Sequence, residues 1–381
     1  MSTSRVSRRQ FALNIGAAAA ATLAAPRLLE SLAFARLPEG MPESTIQLDS
    51  NENPYGPSPK AVDAITQSER VASRYPDGME QRANETLARF HGVAVENVAI
   101  GCGSTEILRA ADMAFLRPGK HCVAAEPTFE AVLDFAKIAH SDGQKIPLTA
   151  DFRHDLPRMA AACSPNTGLV YVCNPNNPTG TIVTRDELAA FFERVPKSTI
   201  ILVDEAYYHF AEDPRYTTAL DWFGKLPNLV VARTFSKVYG LAGMRMGYAI
   251  ASSGLIAAMR PHLLWNGANA AVLAAALASL GDADNVTQKR RQLNDTRRWL
   301  VTELIKEGRR TIPSEANFIM IDIAGDVEPL IPQFRARGIL VGRKFPSMGN
   351  WLRVSIGTRP DMESFLAALR AIVPAKNAKA A

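Results

Sequence analysis

The sequence predicts an α/β protein, with a large domain on a doubly wound, mostly parallel sheet and a smaller α+β domain after it. Three observations predict it. Five short apolar runs are continuous rather than alternating, which suits strands covered on both faces. Each run ends abruptly in a polar cluster, and helical stretches lie between them, as in strand–helix alternation. Beyond about residue 285 the pattern changes to one long polar helix followed by alternating segments. Composition agrees: 381 residues, 47% hydrophobic and 21% charged, is ordinary for a globular chain. It excludes a disordered tail protein, a collagen-like repeat and a disulfide-rich mini-domain. A chain this long buries a large core without metal or disulfide staples.

The first 35 residues read as an address rather than a fold. Ser7-Arg8-Arg9-Gln10-Phe11 opens the chain, an Ala-rich run follows over residues 12–25, and Ala33-Phe34-Ala35 offers a small-x-small cleavage pattern. The paired arginines resemble a twin-arginine export signal. The apolar run is too short to span a bilayer core of about 30 Å, so the expectation is cleavage after Ala35 and a bacterial periplasmic protein without stable membrane insertion. Arg5, Arg8, Arg9, Arg27 and Arg36 against Glu30 give this segment most of the formal charge of +5. The near-neutral body gives no electrostatic reason to expect nucleic acid. Twin-arginine export carries folded proteins, so the signal also hints at a cofactor inserted before export.

The remaining boundaries follow: an N-terminal arm over 36–60, the large domain over 61–284 and the small domain over 285–375. In the large domain the run 97–100 leads into Gly101-Cys102-Gly103-Ser104-Thr105-Glu106, and the run 122–125 into Glu126-Pro127-Thr128-Phe129. The run 169–173 leads into Asn174-Pro175-Asn176-Asn177-Pro178-Thr179-Gly180 and a helix over 185–194. The run 200–203 leads into Asp204-Glu205-Ala206-Tyr207, and the run 229–232 into Arg233-Thr234-Phe235-Ser236-Lys237. Ligands of such sheets bind outside the carboxyl ends of the strands, so all five clusters should converge on one crevice.

In the small domain a helix is expected over about 285–307 and alternating segments over 317–323, 338–341 and 351–356. Leu352, Val354 and Ile356 share one face of the last segment, which turns Arg353 and Ser355 to the other, away from the small domain's core. The four cysteines form no CxxC pair and the six histidines no HExxH, so no metal site is expected. An even cysteine count leaves a disulfide open. Cys122 and Cys173 lie in apolar runs and read as buried free thiols. Trp265, Asn266 and Asn269 precede a helix, where packing is the simpler role and substrate contact the alternative.

The converging residues suit one kind of chemistry. A lysine forms a Schiff base with a carbonyl, and its neighbours tune the nitrogen. Lys237 follows a buried strand with Thr234, Ser236 and Arg245 nearby, a set suited to a phosphate. Gly103, Ser104 and Thr105 open a helix whose N–H groups and dipole suit the same anion. Asp204 could face a ring nitrogen and keep it protonated. Pyridoxal phosphate needs such a lysine, such a cradle and such an acid.

Thr234-Phe235-Ser236-Lys237 with Gly240-Leu241-Ala242-Gly243-Met244-Arg245-Met246-Gly247-Tyr248 resembles the lysine region of class I/II aminotransferases. Asn174 to Gly180, Asp204-Glu205-Ala206-Tyr207 and Leu352-Arg353-Val354-Ser355-Ile356-Gly357-Thr358 match the same pattern in order. Asn51-Glu52-Asn53-Pro54-Tyr55-Gly56-Pro57 and Arg74-Tyr75-Pro76-Asp77 resemble the histidinol-phosphate aminotransferase branch. The resemblance covers residues 48–372 and implies the aspartate-aminotransferase-like fold type I. It also implies that Lys237 carries the internal aldimine, that Asp204 pairs with the pyridinium nitrogen, and that Asn177 and Tyr207 bond the ring oxygen. Phe129 would stack on the ring. Ser104, Thr105, Thr234, Ser236 and Arg245 would hold the phosphate, with Gly103 beside them. Arg353, with Asn177, would bind the substrate carboxylate, and Tyr55 would reach the cofactor of a second copy in a homodimer.

The branch's substrate does not carry over with its chemistry. Histidinol phosphate belongs to a cytosolic pathway, and the leader argues for export. The branch usually has a substrate-phosphate arginine directly after the strand at 338–341, whereas here Gly342 intervenes and Arg343 is one place late. The expectation is therefore a pyridoxal-phosphate-dependent transaminase exchanging an amino group between an amino acid and a 2-keto acid. A decarboxylase or racemase on the same fold is the alternative, and a non-catalytic periplasmic solute-binding protein a distant third. No DNA-binding segment precedes the motifs, which disfavours a regulator.

Overall fold

A computed structural model of the chain describes residues 45–374; the leader expected over 1–35 and residues 36–44 of the expected arm lie outside the described residues. In chain order the strands are β1 (Ile46–Leu48), β2 (Val98–Gly101), β3 (His121–Glu126), β4 (Asp142–Pro147), β5 (Thr167–Cys173), β6 (Ile200–Asp204), β7 (Leu229–Thr234), β8 (Gly247–Ala251), β9 (Thr311–Ile312), β10 (Phe318–Asp322), β11 (Ile339–Val341) and β12 (Trp351–Ser355).

The central sheet has seven strands in the order β2-β8-β7-β6-β5-β3-β4. Six run in one direction and β8 runs against them. β5 and β7 are buried at every position, because helices cover both faces. Side chains alternate along each strand, so Tyr171, Cys173, Leu202 and Ala232 meet Ile107, Leu108 and Leu133 on one face. Val170, Val172, Val203 and Val231 meet Leu188 and Phe191 on the other. The latter two belong to the helix Arg185–Arg194, which Thr184 and Glu187 start with reciprocal side-chain and backbone bonds. Edge strand β4 is exposed at every position but Ile146 and ends in proline, features that discourage further pairing.

The reversed strand sets the geometry of one end of the cleft. Gly247, at its start, pairs with Gly101 at the end of β2 and with Thr234 at the end of β7. The turns after those two strands are thereby brought to either side of the residues before β8. A Cβ at Gly247 would fall 2.2 Å from the Ser104 backbone nitrogen, so only glycine allows this approach.

The expected long helix spans Ala283–Lys306. After it, β9, β10 and β12 form an antiparallel sheet in the order β12-β10-β9. β1 pairs in parallel with β11, Ile46 opposite Ile339, so the chain enters the fold alongside its C-terminal part. Residues 49–52, directly after β1, therefore lie beside β12: the Asn51 N–H donates to Ser355 Oγ at 2.7 Å. Among the described residues no helix is long and apolar enough to cross a membrane.

Candidate active site

All five polar clusters expected to converge do so. The turns after β2, β3, β5, β6 and β7 line one cleft of about 960 Å³, which β12 and the segment after β1 close from the other side.

Lys237 stands at its centre. Burial, and next the Arg353 guanidinium, lower its ammonium to about 8. Its Nζ donates to the Asn51 carbonyl at 3.1 Å and less closely to that of Ser50, at 3.4 Å. It also lies 5.4 Å from the centre of the Tyr207 ring. Tyr207 is buried and packs edge-on against Phe318. Its hydroxyl accepts a bond from Asn51 Nδ2 at 3.2 Å, and burial pushes the phenol up from its ordinary range.

Asp204 ends β6 on the face it shares with Tyr171 and Cys173. Tyr171, completely buried, donates its hydroxyl to Asp204 Oδ2 at 3.0 Å, and the Ala206 N–H donates to Oδ1 at 3.0 Å. Burial pushes the carboxyl up to about 6 even though both donors favour its charged form. It is thus ionised at neutral pH and favours a cationic neighbour.

At the end set by β8, Ser104 and Thr105 begin the helix Ser104–Phe115, whose first N–H groups are open to an acceptor. Gly103 has φ +77°, and a Cβ there would fall 2.2 Å from Arg245 Nη2. Arg245 itself has φ +65°, and its Nη1 donates to the Ala242 carbonyl. Thr234 donates its hydroxyl to Ser236 Oγ at 2.9 Å. A guanidinium, a helix N-terminus and four hydroxyls on one cleft suit a dianion.

At the opposite end Arg353 is 9% exposed. Its Nη1 donates to Asn177 Oδ1 at 2.8 Å and its Nη2 to the Asp49 carbonyl at 2.7 Å, while the buried Nε has no partner. The strand pattern had turned Arg353 from the small domain's core. The face it turns toward is the cleft rather than solvent.

Phe129 lines the cleft half-buried. Tyr55 is half-buried against the core and does not line the cleft of its own chain. Trp265 and Asn266 border a separate cavity, and Asn269 caps the helix Ala270–Leu280 by accepting from the Val272 N–H. All four cysteines are free, with Cys122 and Cys173 buried. Among the described residues no cluster of histidine, cysteine and acid side chains could hold a metal ion.

Sequence reasoning missed Asn51 and Tyr171. Asn51 sits in a quoted motif, and its φ of +54° marks it as structurally special. Tyr171 lies inside an apolar run and reads as core.

The residue set fits pyridoxal phosphate. Gly103, at a φ of +77° that suits glycine, lets the Arg245 guanidinium approach the helix N-terminus, two donors favour the charged form of Asp204, and burial shifts the Lys237 amine toward neutrality. A family model for class I and II aminotransferases matches residues 43–369. A histidinol-phosphate aminotransferase of Moorella thermoacetica is 39% identical over 334 residues, 87% of this chain and 86% of the relative. An aromatic amino acid aminotransferase of Corynebacterium glutamicum is 36% identical over 326 residues, 86% of this chain and 93% of the relative. The crystal structure of histidinol-phosphate aminotransferase from Sinorhizobium meliloti in complex with pyridoxal-5'-phosphate matches with a TM-score of 0.81 at 26% identity. It covers 86% of this chain and 90% of that one.

Proposed function

The chain belongs to the class I and II aminotransferases, and from that membership we propose that its amino donor is a free amino acid whose carboxylate docks on Arg353. The protein is a pyridoxal-phosphate-dependent transaminase of fold type I, in the histidinol-phosphate aminotransferase-like branch. One observation carries the donor assignment. A buried guanidinium with an unpartnered Nε lies in the same cleft as Lys237, and a planar carboxylate is the partner a guanidinium fork fits best.

When bound, the cofactor supplies an aldehyde that condenses with amines and a protonated ring that withdraws electrons. Lys237 would hold its aldehyde end, Asp204 would face its ring nitrogen, and Asn177 and Tyr207 would bond its ring oxygen. Ser104, Thr105, Thr234, Ser236 and Arg245 would hold its phosphate, with Phe129 over the ring.

This chain's own groups then divide the work. An Nζ that titrates near 8 is neutral often enough to attack a carbonyl and basic enough to take a proton from carbon. With the cofactor bound, Lys237 would be the base that takes the proton from the substrate α-carbon and the acid that delivers it to the former aldehyde carbon, as transamination requires. Asp204, ionised above about 6, holds a proton on a heterocyclic nitrogen beside it. Arg353 and Asn177 fix the carboxylate, and with it the bond that stands ready to break. Phe129 would stack on the ring.

The proposal extends to assembly and place. Tyr55, outside its own cleft, serves the cleft of a second copy in a homodimer. Arg8 and Arg9, followed by the Ala-rich run, direct the folded protein to the periplasm by the twin-arginine route. The test of the donor assignment is the absorbance of purified holoenzyme. Its visible band bleaches with a free amino acid and returns on addition of a 2-keto acid. Bleaching by a phosphorylated amino alcohol without a carboxylate, and by no amino acid, would overturn the assignment.

A further inference from the structure

Beyond Arg353 the cleft continues outward. Ile331, Val341 and Phe345 also line the cleft, an apolar collar for whatever extends from the carboxylate. The Phe345 ring is 3% exposed and has two guanidiniums near it, Arg353 Cζ at 5.2 Å and Arg343 Cζ at 4.5 Å. Arg343 is the outer cation. It stands on the segment after β11, and its Nη2 donates to Glu130 Oε2 at 2.5 Å. Glu130 belongs to the opposite wall, one residue past Phe129 after β3. The ion pair therefore spans the mouth, with 55% of the arginine and 43% of the glutamate side chain exposed.

The remaining charges at the mouth do not favour an anion. Asp134, which Lys137 pairs at 2.8 Å, and Glu328 line the cleft along with Glu130, against Arg335 and Arg343, so the acids match the bases. An acidic or phosphorylated substrate tip would have to displace Glu130 from Arg343 and then sit beside the carboxylate it displaced. Like charges placed together cost more than a solvent-screened pair gains. An uncharged side chain leaves the pair intact and fills the collar.

We infer that Glu130 is a specificity-determining residue: by occupying Arg343 it makes the cleft select substrates with an uncharged, apolar side chain and refuse a second anionic group. The inference rests on the carboxylate docking proposed for Arg353 and names the substrate class of that site. Refusal built from an opposing charge is a common route to specificity.

Binding of unreactive carboxylates to the holoenzyme tests it without depending on turnover. The probes are 3-phenylpropionate, with one carboxylate and an aromatic end, and glutarate, with two carboxylates, both titrated by calorimetry. The wild-type protein should bind 3-phenylpropionate at least about tenfold more tightly than glutarate. Glu130→Gln should strengthen glutarate binding about tenfold and change 3-phenylpropionate by less than about twofold. Adding Arg343→Gln to that variant should remove the gain. A glutarate-to-phenylpropionate ratio unchanged by Glu130→Gln, or a gain that survives loss of Arg343, would overturn the inference. A failed amino-donor assignment would appear separately, in the absorbance experiment.

Discussion

Two arginine–glutamate pairs flank the cleft, one behind its floor and one across its mouth. Behind the floor, Glu205 accepts from Arg233 Nε at 3.0 Å and Nη2 at 2.7 Å, from the Thr218 hydroxyl, and from the Ala219 N–H at 2.6 Å. The guanidinium lies 3.7 Å over the Tyr208 ring, and the two charged side chains are 5% and 1% exposed. Across the mouth, Arg343 and Glu130 share one short contact and remain largely in water. The chemistry is the same and the consequences differ. Glu205 follows Asp204 directly, so its bonds fix the turn that carries Asp204 and Tyr207. With donors from Arg233, Thr218 and Ala219 on its two oxygens and almost no exposure, it is a permanent part of the frame. Glu130, held by one solvent-screened contact, contributes little to the frame and is left to act on what enters the cleft.

Measured stability would break or sharpen this contrast. Removing one partner of a buried pair strands the other, so Glu205→Gln should destabilise the apoenzyme by about 3–5 kcal/mol in urea unfolding. Glu130→Gln should cost about 1 kcal/mol or less. Equal effects would erase the distinction between frame and screen.

A smaller effect probes the floor itself. Asp204 titrates near 6 because burial outweighs the hydrogen bonds from Tyr171 and Ala206. Burial disfavours the charged carboxylate and the phenol favours it, so deleting the Tyr171 hydroxyl must move the carboxyl further up. In apoenzyme carrying carbon-13-labelled aspartate, the Asp204 carboxyl should titrate near 6, and in Tyr171→Phe about one unit higher. An unmoved or lowered midpoint would mean that the phenol does not stabilise the charge.

The same contrast between buried and exposed decided what could be read in the sequence. Strands β2, β3, β5, β6 and β7 were legible because burial on both faces leaves a continuous apolar run. Strand β4 was not: its residues Asp142, Gly143, Gln144 and Lys145 are polar and exposed at a sheet edge. Strand β8 begins within a glycine-rich motif, and its reversed direction depends on partners more than 100 residues away in β2. Strand β1 has three residues and a partner near the far end of the chain, which no local pattern encodes. At the site, Lys237, Asp204 and Asn177 stood out as polar groups after apolar runs. Tyr171 did not, because a hydroxyl aimed at a buried acid looks in sequence like one more core aromatic. Arg353 was read correctly by alternation, but only the fold shows that its face of β12 meets the cleft. Glu130 took its meaning from Arg343 on the opposite wall, more than 200 residues away.

Every role assigned in the cleft depends on Lys237 being the residue that carries the cofactor. Borohydride reduction of the holoenzyme followed by digestion and mass spectrometry reads this directly, because reduction fixes the carbon–nitrogen link in place. A pyridoxyl-phosphate mass on the peptide containing Lys237, and on no other lysine, is the predicted result. The same mass on a different lysine, with Lys237 unmodified, would contradict the account.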